Sequence, residues 1–319
     1  MFVIFNKNSD AMIKIWKKQD GLTEIQNAEK NCWVDAINPT NAEIERLKNE
    51  FKVPEDFIYD ILDIDERSRT EIEGRWLLII MRIPVFVAKA EIPYYTVPLG
   101  VLISQHITIT ICLYENEISK APALQRIKGF DLDNKHNFVL NLLFRSATFY
   151  LRYMKEVNRQ TSLLEKELRK STKNYELTTL LKAEKCLVYF ITSLKSNEML
   201  IAKLQKLKIS NSSDVDEDLL EDVIIENKQA AETAKIHSDI LSNLLATFAS
   251  VISNNLNTVM KKLTFITIIL MIPTLISSFL GMNLINFMED SKYAFGGVLF
   301  LSTISVIAVV YIFNKRNWL

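Results

Sequence analysis

Seven residues near the C-terminal end repeat at steps of three and four positions: Asn257, Met260, Thr264, Thr267, Met271, Thr274 and Ser278. On a helix this spacing places them along one face, with aliphatic and aromatic residues around the rest. Neutral oxygens can hydrogen-bond to the water around Mg²⁺, which dehydrates reluctantly, and apolar positions such as Met260, Leu263 and Met271 can close a path by dewetting. The pattern predicts a pore-lining stripe. The alternative is that the hydroxyls bond to backbone carbonyls or to a partner helix.

Two uncharged apolar runs, residues 263–280 and 293–313, are long enough to cross a bilayer as helices. Basic pairs at 261–262 and 315–316 flank them, whereas the connecting loop carries the acidic pair 289–290. The positive-inside rule therefore predicts a multi-pass protein of the cell membrane with both termini in the cytoplasm. The first residues lack the pattern of a signal peptide, so we expect most of the chain to be cytosolic.

The long middle of the chain, residues 130–272, contains no glycine and no proline. It should be mostly helical, with breaks near 170–174 and 210–218. We expect helices at about 132–170, about 175–208 and about 214–280, the last continuing into the first membrane span. Ser213 or Asp214 is the expected N-cap of that helix.

The first 115 residues combine strand, helix and turn patterns that predict a cytosolic domain of the α/β or α+β class. Runs rich in β-branched residues alternate with turn residues, as expected for strands. These runs are NCWVDAINP (31–39), RWLLIIMRIPVFV (75–87), TVPLGVLIS (96–104) and HITITICLY (106–114), and NAEIERLKNEF (41–51) has helical spacing.

Composition excludes several functional classes. The 38 acidic and 38 basic residues cancel, so nucleic-acid binding has no support. Three widely spaced cysteines match neither a disulfide framework nor a zinc site and are expected to be reduced core thiols. The three histidines do not cluster, and no phosphate-binding loop or hydrolase motif is present, so we expect no enzyme and no organic substrate.

The tripeptide GMN at 281–283, placed after the first of two C-terminal spans, resembles the CorA family of divalent metal transporters. The segments WVDAINPTNAE at 33–43 and TVPLGVLIS at 96–104 and the ending NKRNWL resemble the same family. The resemblance covers essentially the whole chain. It implies a funnel-shaped homopentamer in the lipid bilayer that imports Mg²⁺, often with Co²⁺ or Ni²⁺, and that is gated by intracellular Mg²⁺.

The resemblance also implies a domain order. It places an N-terminal cytosolic domain at 1–130, a long-helix funnel at 131–256, a pore-lining helix at 257–280, an extracellular loop at 281–292, a second membrane helix at 293–313 and a basic tail at 314–319.

The resemblance further assigns Gly281, Met282 and Asn283 to the outer mouth, where a ring of Asn283 side chains would hold a hydrated ion. Glu289 and Asp290 would raise the local concentration of cations. The sequence departs from the family at Leu280, where many members carry Tyr. It departs again in the loop, where a Pro-Glu pair is often found.

Regulation by cytosolic Mg²⁺ would, by the same resemblance, use carboxylates of adjacent subunits. Asp222 falls at the position of the long-helix carboxylate. Its partner would come from the acidic segment YDILDIDE, with Asp60, Asp63, Asp65 and Glu66 as candidates. The alternative is that these are solvated surface charges.

Two other functions stay open at this point. A transporter of the same architecture could carry Co²⁺, Ni²⁺ or Zn²⁺, because neutral oxygen rings do not separate hydrated divalent ions. A membrane-anchored sensor or scaffold would use the long helices without transport.

Overall fold

The computed structural model describes residues 13–18, 21–88, 90–125, 127, 132–168, 174–211, 216–280, 282 and 293–316. The chain divides into two compact units, Met1–Asn243 and Leu244–Leu319. The strands are β1 (Ile13–Lys18), β2 (Leu22–Ile25), β3 (Cys32–Ile37), β4 (Arg69–Glu73), β5 (Trp76–Phe86), β6 (Tyr94–Ile103) and β7 (Ile107–Cys112). The helices are α1 (Asn41–Asn49), α2 (Glu55–Leu62), α3 (Ala121–Leu124), α4 (Lys135–Leu168), α5 (Asn174–Asn211), α6 (Glu217–Leu280) and α7 (Ala294–Lys315).

The strands form one seven-stranded sheet in the order β2-β1-β3-β7-β6-β5-β4. Neighbouring strands are antiparallel except β3 and β7, which are parallel. The four predicted strands and the first predicted helix are confirmed, as is the α+β class. Strands β1, β2 and β4 and helix α2 were not predicted.

Each face of the sheet has its own apolar core. On one face Trp33 and Leu99 pack with Phe138 of α4. On the other face Ile80 packs with Phe57 of α2. Successive side chains along a strand point to opposite faces and so enter the two cores in turn. Because both faces are buried, the strand sequences are nearly continuous apolar runs.

Gly100 lets helix α2 lie close to the sheet. A Cβ atom at this position would stand 2.2 Å from Cδ1 of Ile61. Because Ile61 is fully buried, its side chain has little room to move. Glycine is therefore needed here for space.

One edge of the sheet is closed by a side chain. Strand β4 pairs with β5 only as far as Ile80, so the next outward-facing backbone groups of β5 belong to Arg82. Asn197 of α5 accepts a hydrogen bond from the Arg82 backbone N at 2.9 Å and donates one to the Arg82 carbonyl at 2.8 Å. The buried amide thus pairs with both backbone groups as a partner strand would. The Arg82 carbonyl also accepts from the hydroxyls of Ser146 and Tyr150 of α4, at 3.4 and 3.2 Å.

The helical prediction is confirmed within a few residues for α4, α5 and α6. The predicted caps Ser213 and Asp214 lie outside the described residues. The α6 start is at Glu217, and the Asp216 carboxylate accepts a hydrogen bond from Leu219 N at 3.1 Å. Within the first unit α6 contacts α5 through Asn227, which donates to the Leu194 carbonyl at 3.2 Å.

All three cysteines are free and buried, in agreement with the expectation of core thiols. Burial raises the pKa of each thiol, to about 12 for Cys112 and about 11 for Cys186. Such thiols are largely protonated near neutral pH and therefore poor metal ligands.

The second unit contains the C-terminal part of α6 and helix α7. The helical segments Glu217–Phe279 and Phe295–Lys315 each contain an apolar stretch long enough to cross a membrane. Phe265 and Phe313 join the two helices, with ring centroids 5.4 Å apart.

Candidate ion pathway and cytosolic acidic patch

The predicted stripe is exposed along its whole length on α6. All seven residues of the stripe and Leu263 are solvent-exposed in the single chain. Helix α7 lies against another side of α6, where Phe265, Pro273 and Ser277 face it. The stripe is therefore not used for packing between these two helices.

The threonine hydroxyls of the stripe act as hydrogen-bond donors to the backbone of their own helix. Thr264, Thr267 and Thr274 each donate the hydroxyl hydrogen to the carbonyl four residues earlier, at 2.9, 2.8 and 2.7 Å. This is the backbone bonding that was the alternative to pore lining, and it occurs on side chains that are exposed. With its hydrogen used internally, each hydroxyl presents acceptor lone pairs outward.

The predicted mouth falls mostly outside the described residues. Gly281, Asn283, Glu289 and Asp290 are not described. Met282 is described, and 49% of its surface is exposed.

The acidic segment YDILDIDE, which spans the end of α2 and the residues after it, is organised around Arg69. Asp60 forms an ion pair with Arg69 at 2.5 Å, and Arg69 also contacts Glu66 at 3.1 Å. Asp63 and Asp65 are exposed, and the Asp63 carboxylate accepts a hydrogen bond from Asp65 N at 3.0 Å. Of the predicted carboxylates, Asp60 is thus held by an internal partner, while Asp63 and Asp65 face solvent.

Asp222 is exposed on α6, next to the buried Val223. Within the described part of a single chain, no group of three or more His, Cys, Asp or Glu side chains could hold a metal ion. The structure therefore does not bring Asp222 into a metal cluster with the acidic segment inside one subunit.

The segment WVDAINPTNAE has structural roles in this domain. The Trp33 indole donates to the Thr110 hydroxyl at 2.8 Å, and that hydroxyl donates to Asp35 at 2.7 Å. Burial raises the pKa of Asp35 to about 7, against the opposing effect of the Thr110 hydrogen bond and the charge of Lys14.

The second half of that segment ends β3 and starts α1. Asn38 has φ of 49°, in the left-handed region that Asn tolerates better than most residues. Thr40 caps α1 by accepting from Glu43 N, while Glu43 accepts from Thr40 N at 2.8 Å. This reciprocal pair is a capping box.

These features can be compared with known proteins. The family model described as CorA-like Mg²⁺ transporter protein matches residues 28–316. The chain belongs to the CorA family. This membership confirms the resemblance and places the chain among membrane transporters, not enzymes.

Relatives in the CorA family match most of the chain. The cobalt/magnesium transport protein CorA of Methanocaldococcus jannaschii is 24% identical, over 90% of this chain and 91% of the relative. The magnesium transport protein CorA of Campylobacter jejuni is also 24% identical, with both chains covered in full. The solved structure of CorA from M. jannaschii superimposes with a TM-score of 0.79 at 20% identity, covering 98% of this chain and 100% of that one. This likeness confirms the fold: an α+β domain, long helices and two C-terminal helices.

Proposed function

We propose that this protein is a Mg²⁺ channel of the cell membrane, assembled as a funnel-shaped homopentamer with both termini in the cytoplasm. Family membership supports Mg²⁺ transport. The single observation that carries the pathway is that the hydroxyl, amide and thioether side chains of the stripe share one face of α6, which α7 does not cover. Packed around an axis, the 257–280 segments would turn this face inward, and the 293–313 helices would lie outside it.

The polarity of the threonines suits a hydrated cation. Water bound to Mg²⁺ points its hydrogens outward, so a path for the hydrated ion needs hydrogen-bond acceptors. Thr264, Thr267 and Thr274 present such acceptors because their own hydrogens are bonded to the helix backbone. Met260, Leu263 and Met271 would form the apolar constrictions between them.

The outer mouth would be the 281–292 loop. A ring of Asn283 amides would hold a hydrated ion, and Glu289 and Asp290 would attract cations to it. Leu280 replaces the aromatic residue that many members carry, so an aliphatic side chain would pack behind the mouth.

Intracellular Mg²⁺ would close the channel by bridging carboxylates of neighbouring subunits. Asp222 would supply one side. Asp63 or Asp65 fits the other side better than Asp60, because Asp60 already pairs with Arg69. Hard carboxylate oxygens suit Mg²⁺.

A second cargo is favoured by one specific observation. The M. jannaschii relative carries cobalt as well as magnesium in its name. We therefore include Co²⁺, and with it Ni²⁺, among the ions to be tested, together with Zn²⁺.

The mouth is tested by Mg²⁺ entry into proteoliposomes that contain a Mg²⁺-sensitive dye. The native protein should admit Mg²⁺, Asn283→Ala should lose most of the influx, and Asn49→Ala on the surface of α1 should not. Entry of Co²⁺ or Zn²⁺ without entry of Mg²⁺ would show that Mg²⁺ is not the transported ion. Absence of all divalent flux from folded pentamers would favour a sensor or scaffold.

The stripe is tested separately with a matched pair at Thr267. Thr267→Val removes the outward acceptor at nearly constant volume, whereas Thr267→Ser keeps it. We expect slower Mg²⁺ influx for the valine variant only. Equal influx in both variants would contradict the role of these hydroxyls.

A further inference from the structure

A cavity of about 320 Å³ opens on the surface of the first unit. The segment after α2, the β5–β6 connection, the start of β6 and helix α5 form its walls. Its lining residues are Ile64, Asp65, Arg82, Glu91, Ile92, Tyr95, Thr96 and Tyr189.

Arg82 carries the positive charge of the cavity, but its terminal nitrogens are already used. Nη1 donates to the carbonyls of Ile64 and Glu66, at 2.5 and 2.8 Å. Nη2 donates to the carbonyl and the hydroxyl of Thr96, at 2.8 and 2.9 Å. A phosphate or carboxylate ligand would need these donors for a bidentate contact, so the geometry disfavours an anion.

Two carboxylates of the lining are available. Asp65 and Glu91 are both exposed, and neither side chain forms a hydrogen bond with another residue that the structure describes. Two carboxylates and one guanidinium leave the lining with a net charge of about −1 when all are ionised. The cavity is therefore suited to a cation.

The other walls show which kind of cation fits. Ile64 and Ile92 are aliphatic, and Tyr95 and Tyr189 are aromatic. Aliphatic walls bind a hydrocarbon chain, and an aromatic face attracts an organic ammonium group. A bare or hydrated metal ion would gain nothing from these four side chains.

We propose that this cavity binds a small aliphatic amine, with Asp65 and Glu91 receiving the ammonium group and the isoleucine and tyrosine side chains enclosing the carbon chain. A diamine is the simplest ligand of this class, because two carboxylates are present. The cavity shares Asp65 with the proposed regulatory Mg²⁺ bridge, so an amine bound here would compete with that Mg²⁺. Amine binding itself does not require the protein to transport ions.

The test is calorimetric titration of the full-length protein in detergent micelles with 1,4-diaminobutane. The matched ligand is 1,4-butanediol, which has the same chain without charge. Asp65→Asn and Glu91→Gln should each weaken diamine binding by about tenfold or more, as expected for loss of a charged hydrogen bond. Glu73→Gln, on the exposed edge strand β4, should bind like the native protein.

Each outcome decides the matter. Diamine binding that is lost in both cavity variants, with no heat from the diol, supports the site. Equal binding by native protein and both variants, or no binding by native protein, overturns it. Saturable Mg²⁺ binding that depends on Asp65 and Glu91, without diamine binding, would show a divalent-metal site instead. An unchanged unfolding midpoint in both variants shows that lost binding is not lost folding.

Discussion

Replacing Asp35 with Asn should make the stability of the protein less sensitive to a rise in pH from 5 to 8. Asp35 is buried in the sheet, with the Thr110 hydroxyl donating to it and Lys14 opposite it on β1. Burial raises its pKa from 3.8 to about 7 in the folded protein. A raised carboxyl pKa means that the folded state favours the protonated form, so ionisation costs stability.

The direction and size of this pH effect follow from the coupling between Asp35 protonation and folding. The contribution of protonated Asp35 is fully present below about pH 4, decreases as the pH rises towards 7, and is lost above it. The total loss is about 4 kcal/mol, of which about 2 to 3 kcal/mol falls between pH 5 and pH 8. An Asn side chain does not ionise and its amide oxygen can still accept from Thr110, so Asp35→Asn should avoid this loss.

The assay is urea unfolding of the full-length protein in detergent, followed by tryptophan fluorescence at several values between pH 5 and pH 8. The quantity of interest is the unfolding free energy of Asp35→Asn minus that of native protein. It should increase with pH by about 2 to 3 kcal/mol, and any constant cost of burying the amide NH₂ cancels from this change. Glu24→Gln, on exposed strand β2, serves as the control and should show no comparable increase. A pH-independent difference for Asp35→Asn would refute the reasoning.

Two further predictions concern packing and the sheet edge. Gly100→Ala should lower the unfolding free energy by about 1 to 3 kcal/mol because its Cβ would overlap Ile61. Adding Ile61→Ala, which removes all the overlapping atoms, should cost less than the sum of the two single changes in a double-mutant cycle. Little change in urea midpoint for Gly100→Ala would contradict the overlap. Asn197→Ala should cost about 1 to 3 kcal/mol, since it leaves the buried Arg82 backbone N–H unpaired while the carbonyl keeps Ser146 and Tyr150, and hydrogen exchange at Arg82 should accelerate. Unchanged exchange there would show that the amide does not close the edge.

The long helices were predictable because their signal is local. No glycine or proline interrupts residues 130–272, and the helix breaks coincide with polar segments. The central strands were predictable for a similar reason, since both faces are buried and β-branched residues follow one another. Strands β1 and β4 were missed because IKIWKK and RTEIE carry charges on partly exposed strands.

The contacts that organise the acidic segment could not be predicted. Asp60 looked like any other carboxylate of that segment until the fold placed Arg69 beside it. Asn197 lies within a helix, where a polar residue usually indicates an exposed position, yet it is 1% exposed. Its role depends on hydrogen bonds to the backbone of Arg82, 115 residues earlier, and the residues near Asn197 in the sequence do not reveal this contact.

The closure of the sheet edge by Asn197 has a consequence for biosynthesis. The ribosome releases β5 long before it makes α5, and Arg82 and Asn197 are 115 residues apart. Until then the backbone N–H of Arg82 is an open donor at the edge of the nascent sheet and a template for pairing with another nascent chain, whereas the Arg82 carbonyl can already accept from Ser146 and Tyr150 of α4. Pro84, which lacks an N–H, limits that template next to the gap. Completion of the domain during translation should therefore wait for α5, and nascent chains that stop between β7 and α5 should be the ones most in need of chaperones.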